Sequence, residues 1–144
     1  MRILIDADGC PVVDITVLAA KENNIECIIL CDTSHVFKKD GAQTITVSKG
    51  ADSVDFALVN MIKPYDIVIT QDYGLAAMCL AKRAITLSQD GKIYDDSNID
   101  SLLFARHHSR KIRNAGGRTK GPSKRTPRQD ERFKQTLLSL IKQE

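Results

Sequence analysis

Short runs of branched apolar residues alternate along most of this chain with longer segments in which apolar residues recur every three or four positions. The first run, residues 2–7, is followed by Gly9 and Pro11 and is typical of a buried strand. Proline is favoured at the first helical position, so Pro11 is expected to open the first helix. Similar patterns predict further strands at 25–31, 43–48, 66–70 and 84–87, and helices at 11–23, 51–62 and 72–83.

This alternation predicts an α/β fold. Strands that are joined by helical crossovers run parallel, and the helices cover both faces of the sheet. We therefore expect a three-layer α/β/α sandwich with a mainly parallel sheet. A turn at 89–91 and a short strand at 92–94 would add a small hairpin at the end. Residues 1–97 are expected to form this α/β domain, because 144 residues suffice for a single core.

After residue 97 the alternation stops. Residues 98–113 have helical spacing, and 114–127 are rich in Gly, Pro, Lys and Arg. Thr126 and Gln129 fit a capping box with Pro127 at the first helical position, which predicts a final helix. Residues 98–144 are thus expected to form a basic helix-loop-helix extension packed on the same domain.

The composition is that of a globular protein, with 42% hydrophobic and 27% charged residues. This excludes collagen-like and fully disordered classes. The apolar runs are far shorter than the roughly 20 residues of a membrane helix, and the first residues lack the apolar stretch of a signal peptide. We expect a cytoplasmic protein that does not enter the membrane.

The charge is distributed unevenly. Residues 1–100 carry 9 Lys/Arg and 15 Asp/Glu, whereas residues 101–144 carry 12 Lys/Arg and 3 Asp/Glu. Basic segments of this kind commonly contact polyanions, although a solvated face without a partner remains an alternative. Nucleic acid, RNA above all, is the expected partner, and its candidate contacts are Arg106, Arg110, Arg113, Arg118, Lys120, Lys124 and Arg125.

Aspartates follow two of the predicted strands. Asp6 and Asp8 end the first one, and Asp72 follows the strand at 66–70. The carboxyl ends of parallel strands form the ligand-binding edge of an open α/β sheet. On a helical wheel Asp55 lies at the margin of the apolar stripe that faces the sheet, and Asp52 lies one step further out. These five side chains are therefore candidates for one site.

Several carboxylates in one place repel one another, and a hard cation such as Mg²⁺ or Mn²⁺ is the usual remedy. Sites of this type activate water and stabilise phosphodiester transition states. A structural alternative stays open for each residue, since Asp52 and Asp72 suit helix caps, Asp55 suits the first turn of a helix and Asp8 suits a turn.

Four sequence strings carry a family resemblance across nearly the whole chain. They are Asp6-Ala7-Asp8-Gly9-Cys10-Pro11, Ser53-Val54-Asp55, the segment 66–76 with Thr70-Gln71-Asp72, and Gly121-Pro122 followed by Asp130-Glu131-Arg132-Phe133. The chain thereby resembles the YaiI/YqxD family of bacterial proteins, which is similar to PIN-like nuclease domains. The resemblance implies a metal-dependent nuclease in which Asp6, Asp55 and Asp72 are catalytic and metal-binding, with Asp8 and Asp52 as auxiliary ligands.

Two other functions stay open. The string Asp6-Ala7-Asp8-Gly9 also resembles the signature of haloacid-dehalogenase-type phosphatases, with Asp6 as nucleophile and Asp8 as acid/base. Cys10 stands where that signature has Thr, and the pair Asp95-Asp96 follows a turn rather than an apolar strand. The third reading is a non-catalytic RNA-binding module whose acidic edge binds metal only structurally.

Overall fold

A computed structural model describes residues 1–50, 52–116 and 124–143. In these ranges the chain forms six strands and five helices in the order that the sequence predicts. The strands are β1 (Arg2–Asp6), β2 (Glu26–Asp32), β3 (Gln43–Val47), β4 (Ile67–Ile69), β5 (Ile85–Leu87) and β6 (Ile93–Tyr94). The helices are α1 (Val13–Glu22), α2 (Ser53–Met61), α3 (Tyr73–Ala81), α4 (Asp96–Asn114) and α5 (Pro127–Lys142).

The strands form one sheet in the order β3-β2-β1-β4-β5-β6. Strands β1 to β5 are parallel to their neighbours, and β6 pairs antiparallel with β5. The chain builds outward from β1 to β3 and then returns to place β4 on the other side of β1. The predicted α/β fold with a mainly parallel sheet is confirmed.

Side-chain alternation along the strands divides the core into two halves. Ile3 and Ile5 of β1 face α1 and α5, whereas Leu4 faces α2 and α3. Each half consists of fully or nearly buried aliphatic side chains, as expected for a parallel sheet covered on both faces. The three-layer sandwich is therefore present. Helix α4 lies against α3, where Ile99 packs with Ala76 and Tyr94.

The last helix belongs to the core. Phe133 and Leu137 are fully buried among the side chains of α1 and of the sheet. The turn before β6 approaches α5 closely at Gly91, which has φ +83°, and a Cβ there would lie 3.0 Å from the carbonyl oxygen of Arg132. Glycine alone tolerates both the backbone angle and this contact. Residues 1–97 and α5 thus share one hydrophobic core.

Three helices begin two residues away from their sequence-based starts. Helix α1 begins at Val13, not at Pro11, because Pro11 and Val12 lie in a turn that precedes the helix. Helix α2 begins at Ser53, because Asp52 has a left-handed φ of 61°. Helix α4 begins two residues earlier than expected, since the Asp95 carboxylate accepts hydrogen bonds from the Ser97 and Asn98 N–H groups.

At the amino edge of the sheet, the buried carboxylate of Asp66 is fully partnered. Asp66 accepts hydrogen bonds from the backbone and guanidinium of Arg2, at 3.1 and 2.7 Å, and from the Lys63 N–H at 2.9 Å. This pair joins the start of β1 to the start of β4.

Within the described ranges, no helix combines the length and the apolar character that crossing a membrane requires.

Candidate functional site

The strand order reverses at β1, which has β2 on one side and β4 on the other. Ligands of open α/β sheets bind outside the carboxyl ends of the strands at such a reversal. In this protein a cavity of about 570 Å³ opens there. Its lining contains all five predicted aspartates. Among the residues that the structure describes, the lining consists of Asp6, Asp8, Gly50, Asp52, Ser53, Val54, Asp55, Gln71, Asp72, Tyr73 and Arg106.

A buried hydroxyl connects the ends of β1 and β4. Thr70 is 2% exposed, and its hydroxyl donates to Asp6 Oδ2 at 2.8 Å. The Thr70 Oγ1 also accepts a hydrogen bond from the Asp72 N–H at 3.0 Å. Sequence analysis quoted Thr70 within a motif but gave it no role. The signal was its place two positions before Asp72, directly after an apolar strand. Thr70 therefore fixes the position of Asp6 relative to Asp72.

Asp72 serves the fold as well as the cavity. Its Oδ1 accepts the N–H groups of Gly74 and Leu75 at 2.8 and 3.2 Å, which caps α3. The Arg106 Nη1 lies 3.4 Å from the same oxygen. Asp72 therefore caps α3, as the structural alternative predicted, and it also lines the cavity.

The amino-terminal end of helix α2 supplies two further carboxylates. Asp55 projects into the cavity near Asp6 and Asp72. Asp52 precedes the helix in a left-handed conformation, and its side chain makes no capping hydrogen bond. Aspartate is among the few residues other than glycine that adopt this conformation at modest cost. The structure therefore places Asp52 on the cavity lining and does not use it as a cap.

Asp8 lies at the rim of the cavity, on the side of β2. Its Oδ2 accepts the Asp32 N–H at 3.0 Å, and its Oδ1 lies 2.7 Å from His35 Nδ1. Asp8 is thus directed toward the end of β2, although it still contributes to the cavity lining.

The cavity disfavours negative charge in the absence of a bound cation. Burial raises the pKa of Asp6 to about 6, and the charges of Asp72 and Asp8 raise this pKa further while the Thr70 hydrogen bond opposes the shift. Burial likewise raises the pKa of Asp55 to about 6, reinforced by the charges of Asp72, Asp6 and Asp52. Asp66 at the opposite edge has Arg2 beside it, whereas the described lining of this cavity contains a single cationic side chain, Arg106.

The cavity offers a donor set of carboxylate oxygens, which suits hard divalent cations such as Mg²⁺ and Mn²⁺. The oxygens of Asp6, Asp55 and Asp72 are not all within 4.8 Å of one another in this structure. Asp6, Asp55 and Asp72 are the residues of the cavity that could hold such a cation.

Two of the predicted basic residues lie beside the cavity. Arg106 projects from α4 into the cavity lining. A neighbouring hollow of about 280 Å³ shares Arg106 and is also lined by Leu103, His107 and Arg110. Sequence analysis did not select His107, because a histidine in a basic helix carries no specific signal of its own.

The other predicted basic contacts are placed differently. Lys124 is exposed. Arg125 is held by its own domain, with ion pairs to Asp90 at 2.8 Å and to Asp130 at 2.6 Å and a hydrogen bond to the Gln89 carbonyl at 2.7 Å. Three further candidates, the side chain of Arg113 and the residues Arg118 and Lys120, lie outside what the structure describes.

Comparison with known proteins gives matches over the full length. The family model described as "Uncharacterized BCR, YaiI/YqxD family" matches residues 4–143. A UPF0178 protein of Exiguobacterium sibiricum is 51% identical over 141 residues, covering 98% of this chain and 96% of the relative. A UPF0178 protein of Ruminiclostridium cellulolyticum is 53% identical over 144 residues, covering 100% of this chain and 94% of the relative. No solved structure matches the chain.

Proposed function

We propose that this chain, which belongs to the YaiI/YqxD family, is a divalent-cation-dependent phosphodiesterase that hydrolyses single-stranded nucleic acid, RNA in particular. The observation that carries the proposal is the convergence of five carboxylates at the point where the strand order reverses, beside one arginine. Two of these carboxylates, Asp6 and Asp55, have raised pKa values, which is common at functional sites. An RNA substrate agrees with the cytoplasmic location expected from the sequence.

In this proposal Asp6, Asp55 and Asp72 hold Mg²⁺ or Mn²⁺, and Asp8 and Asp52 are auxiliary ligands. When bound, the cation activates water and stabilises negative charge on the phosphate. Thr70 orients Asp6 by donating its hydroxyl proton to Oδ2. The helix-capping hydrogen bonds of Asp72 are made by Oδ1, which restrains the carboxylate and leaves Oδ2 for the cation.

The basic side chains bind the substrate backbone. Arg106 is 43% exposed and lies only 3.4 Å from Asp72, so its guanidinium can pair with the phosphate next to the reacting centre. Arg110 extends this positive surface along α4, beside His107. Arg125 is not part of the proposed surface, because its guanidinium already has three partners in its own domain.

An RNA cleavage assay tests the proposal directly. Purified protein freed of metal is incubated with end-labelled single-stranded RNA in Mn²⁺, in Mg²⁺ or in EDTA. We expect cleavage only with a divalent cation. Asp55→Asn should reduce the rate at least about 100-fold, because loss of a metal ligand costs more than the roughly 10- to 100-fold that is typical when a residue hydrogen-bonded to a ligand is replaced. The matched control is Asp14→Asn, an exposed aspartate of α1 that does not line the cavity. Cleavage that survives both EDTA and Asp55→Asn would refute the proposal.

The same assay separates the two alternatives. A phosphatase mechanism needs Asp6 as nucleophile and Asp8 as acid/base, but the Asp8 carboxylate accepts the Asp32 N–H and lies against His35. Trapping a phosphoryl group on Asp6 would support the phosphatase. Tight RNA binding without cleavage in any cation would support the non-catalytic module.

The double variant Arg106→Gln/Arg110→Gln is expected to weaken RNA binding and to flatten its salt dependence. Each phosphate contact on a single strand contributes about 0.7 to the slope of log K against log salt, so loss of two contacts should lower the slope by about 1.4. Fluorescence anisotropy at several salt concentrations in EDTA measures this. Lys134→Gln, an exposed residue of α5, is the control and should leave the slope unchanged. An unaltered slope in the double variant would exclude α4 from the RNA-binding surface.

A further inference from the structure

A second group of potential ligands lies beside the acidic cavity, at the carboxyl end of β2. Asp32 is the last residue of β2, His35 follows in the next loop, and Asp8 reaches across from the segment after β1. Each residue offers one donor atom, and the three atoms all lie within 4.8 Å of one another. Among the residues that the structure describes, no other three His, Cys, Asp or Glu side chains bring their donor atoms this close together.

The contact between Asp8 and His35 is short without being a hydrogen bond. His35 Nδ1 lies 2.7 Å from Asp8 Oδ1 and 4.0 Å from Asp32 Oδ1. Asp8 Oδ1 is shielded from solvent, yet it accepts no hydrogen bond. Its nearest polar neighbour is the His35 imidazole, and a cation bound between the two atoms would satisfy the lone pairs of both. Neighbouring ligands of one metal ion are about 3 Å apart when each lies about 2.0 to 2.2 Å from the ion, and their lone pairs then point at the ion instead of at each other.

We propose that Asp8, Asp32 and His35 form a binding site for a divalent transition-metal ion such as Zn²⁺ or Co²⁺. A mixed set of imidazole nitrogen and carboxylate oxygens favours these ions over Mg²⁺, which prefers oxygen ligands alone. Three protein ligands leave further coordination positions to water, as in catalytic metal sites.

Backbone hydrogen bonds support the two carboxylates. Asp8 Oδ2 accepts the Asp32 N–H at 3.0 Å, and Asp32 Oδ1 accepts the Ser34 N–H at 2.7 Å. Such contacts orient metal ligands before the ion binds and reduce the cost of ordering them. The first of these contacts also links the Asp8 carboxylate to the backbone of Asp32.

This site is distinct from the acidic cavity. Neither Asp32 nor His35 lines that cavity, and Asp8 is the residue that the two share at the rim. The inference does not depend on nuclease activity. Variants of Asp32 or His35 should therefore remove this site and leave Asp6, Asp55 and Asp72 unchanged.

Calorimetric titration of metal-free protein with Zn²⁺ at neutral pH tests the site. We expect one site in the wild type, weakened at least tenfold by His35→Gln and by Asp32→Asn. Asp55→Asn should retain it, as should His108→Gln, which removes an exposed imidazole of α4. Titration with Co²⁺ gives a second readout, because the visible spectrum of the bound ion should change when the His35 imidazole is lost. Circular dichroism of both variants verifies that they fold.

Unchanged Zn²⁺ affinity in both His35→Gln and Asp32→Asn would overturn the proposal. If Asp55→Asn abolishes the binding instead, the ion lies in the acidic cavity, which overturns this site and supports the cation-holding role of that cavity. If Zn²⁺ binding follows His35 and Asp32 while no cation promotes RNA cleavage, this site stands and the phosphodiesterase proposal fails.

Discussion

Asp6→Asn is expected to stabilise the metal-free protein at pH 8 and to abolish its stabilisation by Mn²⁺. Burial raises the Asp6 pKa from 3.8 to about 6, so the folded state binds the proton more tightly than the unfolded chain does. The contribution of Asp6 to the free energy of unfolding should therefore be largest below pH 4, and it should be lost as the pH rises through 6. Asparagine carries no charge, and it retains an oxygen that can accept the Thr70 hydroxyl proton.

The gain at pH 8 should be about 1 to 2 kcal/mol. One pKa unit corresponds to about 1.4 kcal/mol, and water in the open cavity screens part of the penalty. The wild type should recover stability when Mn²⁺ is added, by about 2.7 kcal/mol at a concentration 100 times the dissociation constant. Asp6→Asn should not respond to Mn²⁺.

Urea unfolding between pH 4 and pH 8, with and without Mn²⁺, measures both effects. Asp14→Asn is the control, because this exposed aspartate pairs with Lys39 on the surface and lies outside the cavity. Its difference from the wild type should be small at every pH. A clear loss of metal-free stability in Asp6→Asn at pH 8 would show that Asp6 is a structural residue instead.

Phe133→Ala is expected to remove about 3 to 5 kcal/mol from the free energy of unfolding. The Phe133 ring is fully buried between α1 and the sheet, in contact with the cluster that contains Ile3 and Ile5. Truncation leaves a cavity that neighbouring strands cannot close. A typical domain of this size has about 5 to 15 kcal/mol in total, so the variant should be close to unfolding at 37 °C.

Phe104→Ala is the matched control for this experiment. Phe104 lies on α4 and is 72% exposed, so its truncation should change the stability by no more than about 0.5 kcal/mol. Urea unfolding monitored by circular dichroism compares the two variants. If Phe133→Ala were as mild as Phe104→Ala, α5 would be a loosely attached appendage and not part of the core.

Local patterns account for most of what sequence analysis predicted correctly about the fold. Apolar runs such as Cys27 to Cys31 are long enough for a buried strand and too short for a helix, and Pro127 with Gln129 marks the start of α5. The helix starts at Pro11 and at residue 51 were predicted incorrectly, because apolar periodicity does not specify backbone angles. Pro11 suits a turn as well as a helix start, and the left-handed φ of Asp52 cannot be read from the spacing of apolar residues.

The sequence by itself determined the order of the elements, the type of sheet and the presence of aspartates after β1 and β4, because apolar periodicity and strand ends are properties of neighbouring residues. The strand order was decided only by the tertiary structure, which sets β4 beside β1 and thereby brings Thr70 to Asp6 across 64 residues. The ion pairs of Arg125 and the approach of His35 to Asp8 have the same origin. Such contacts depend on how complete layers pack against one another. The free energy that selects one packing comes from side chains throughout the core, so no local segment of the sequence determines it.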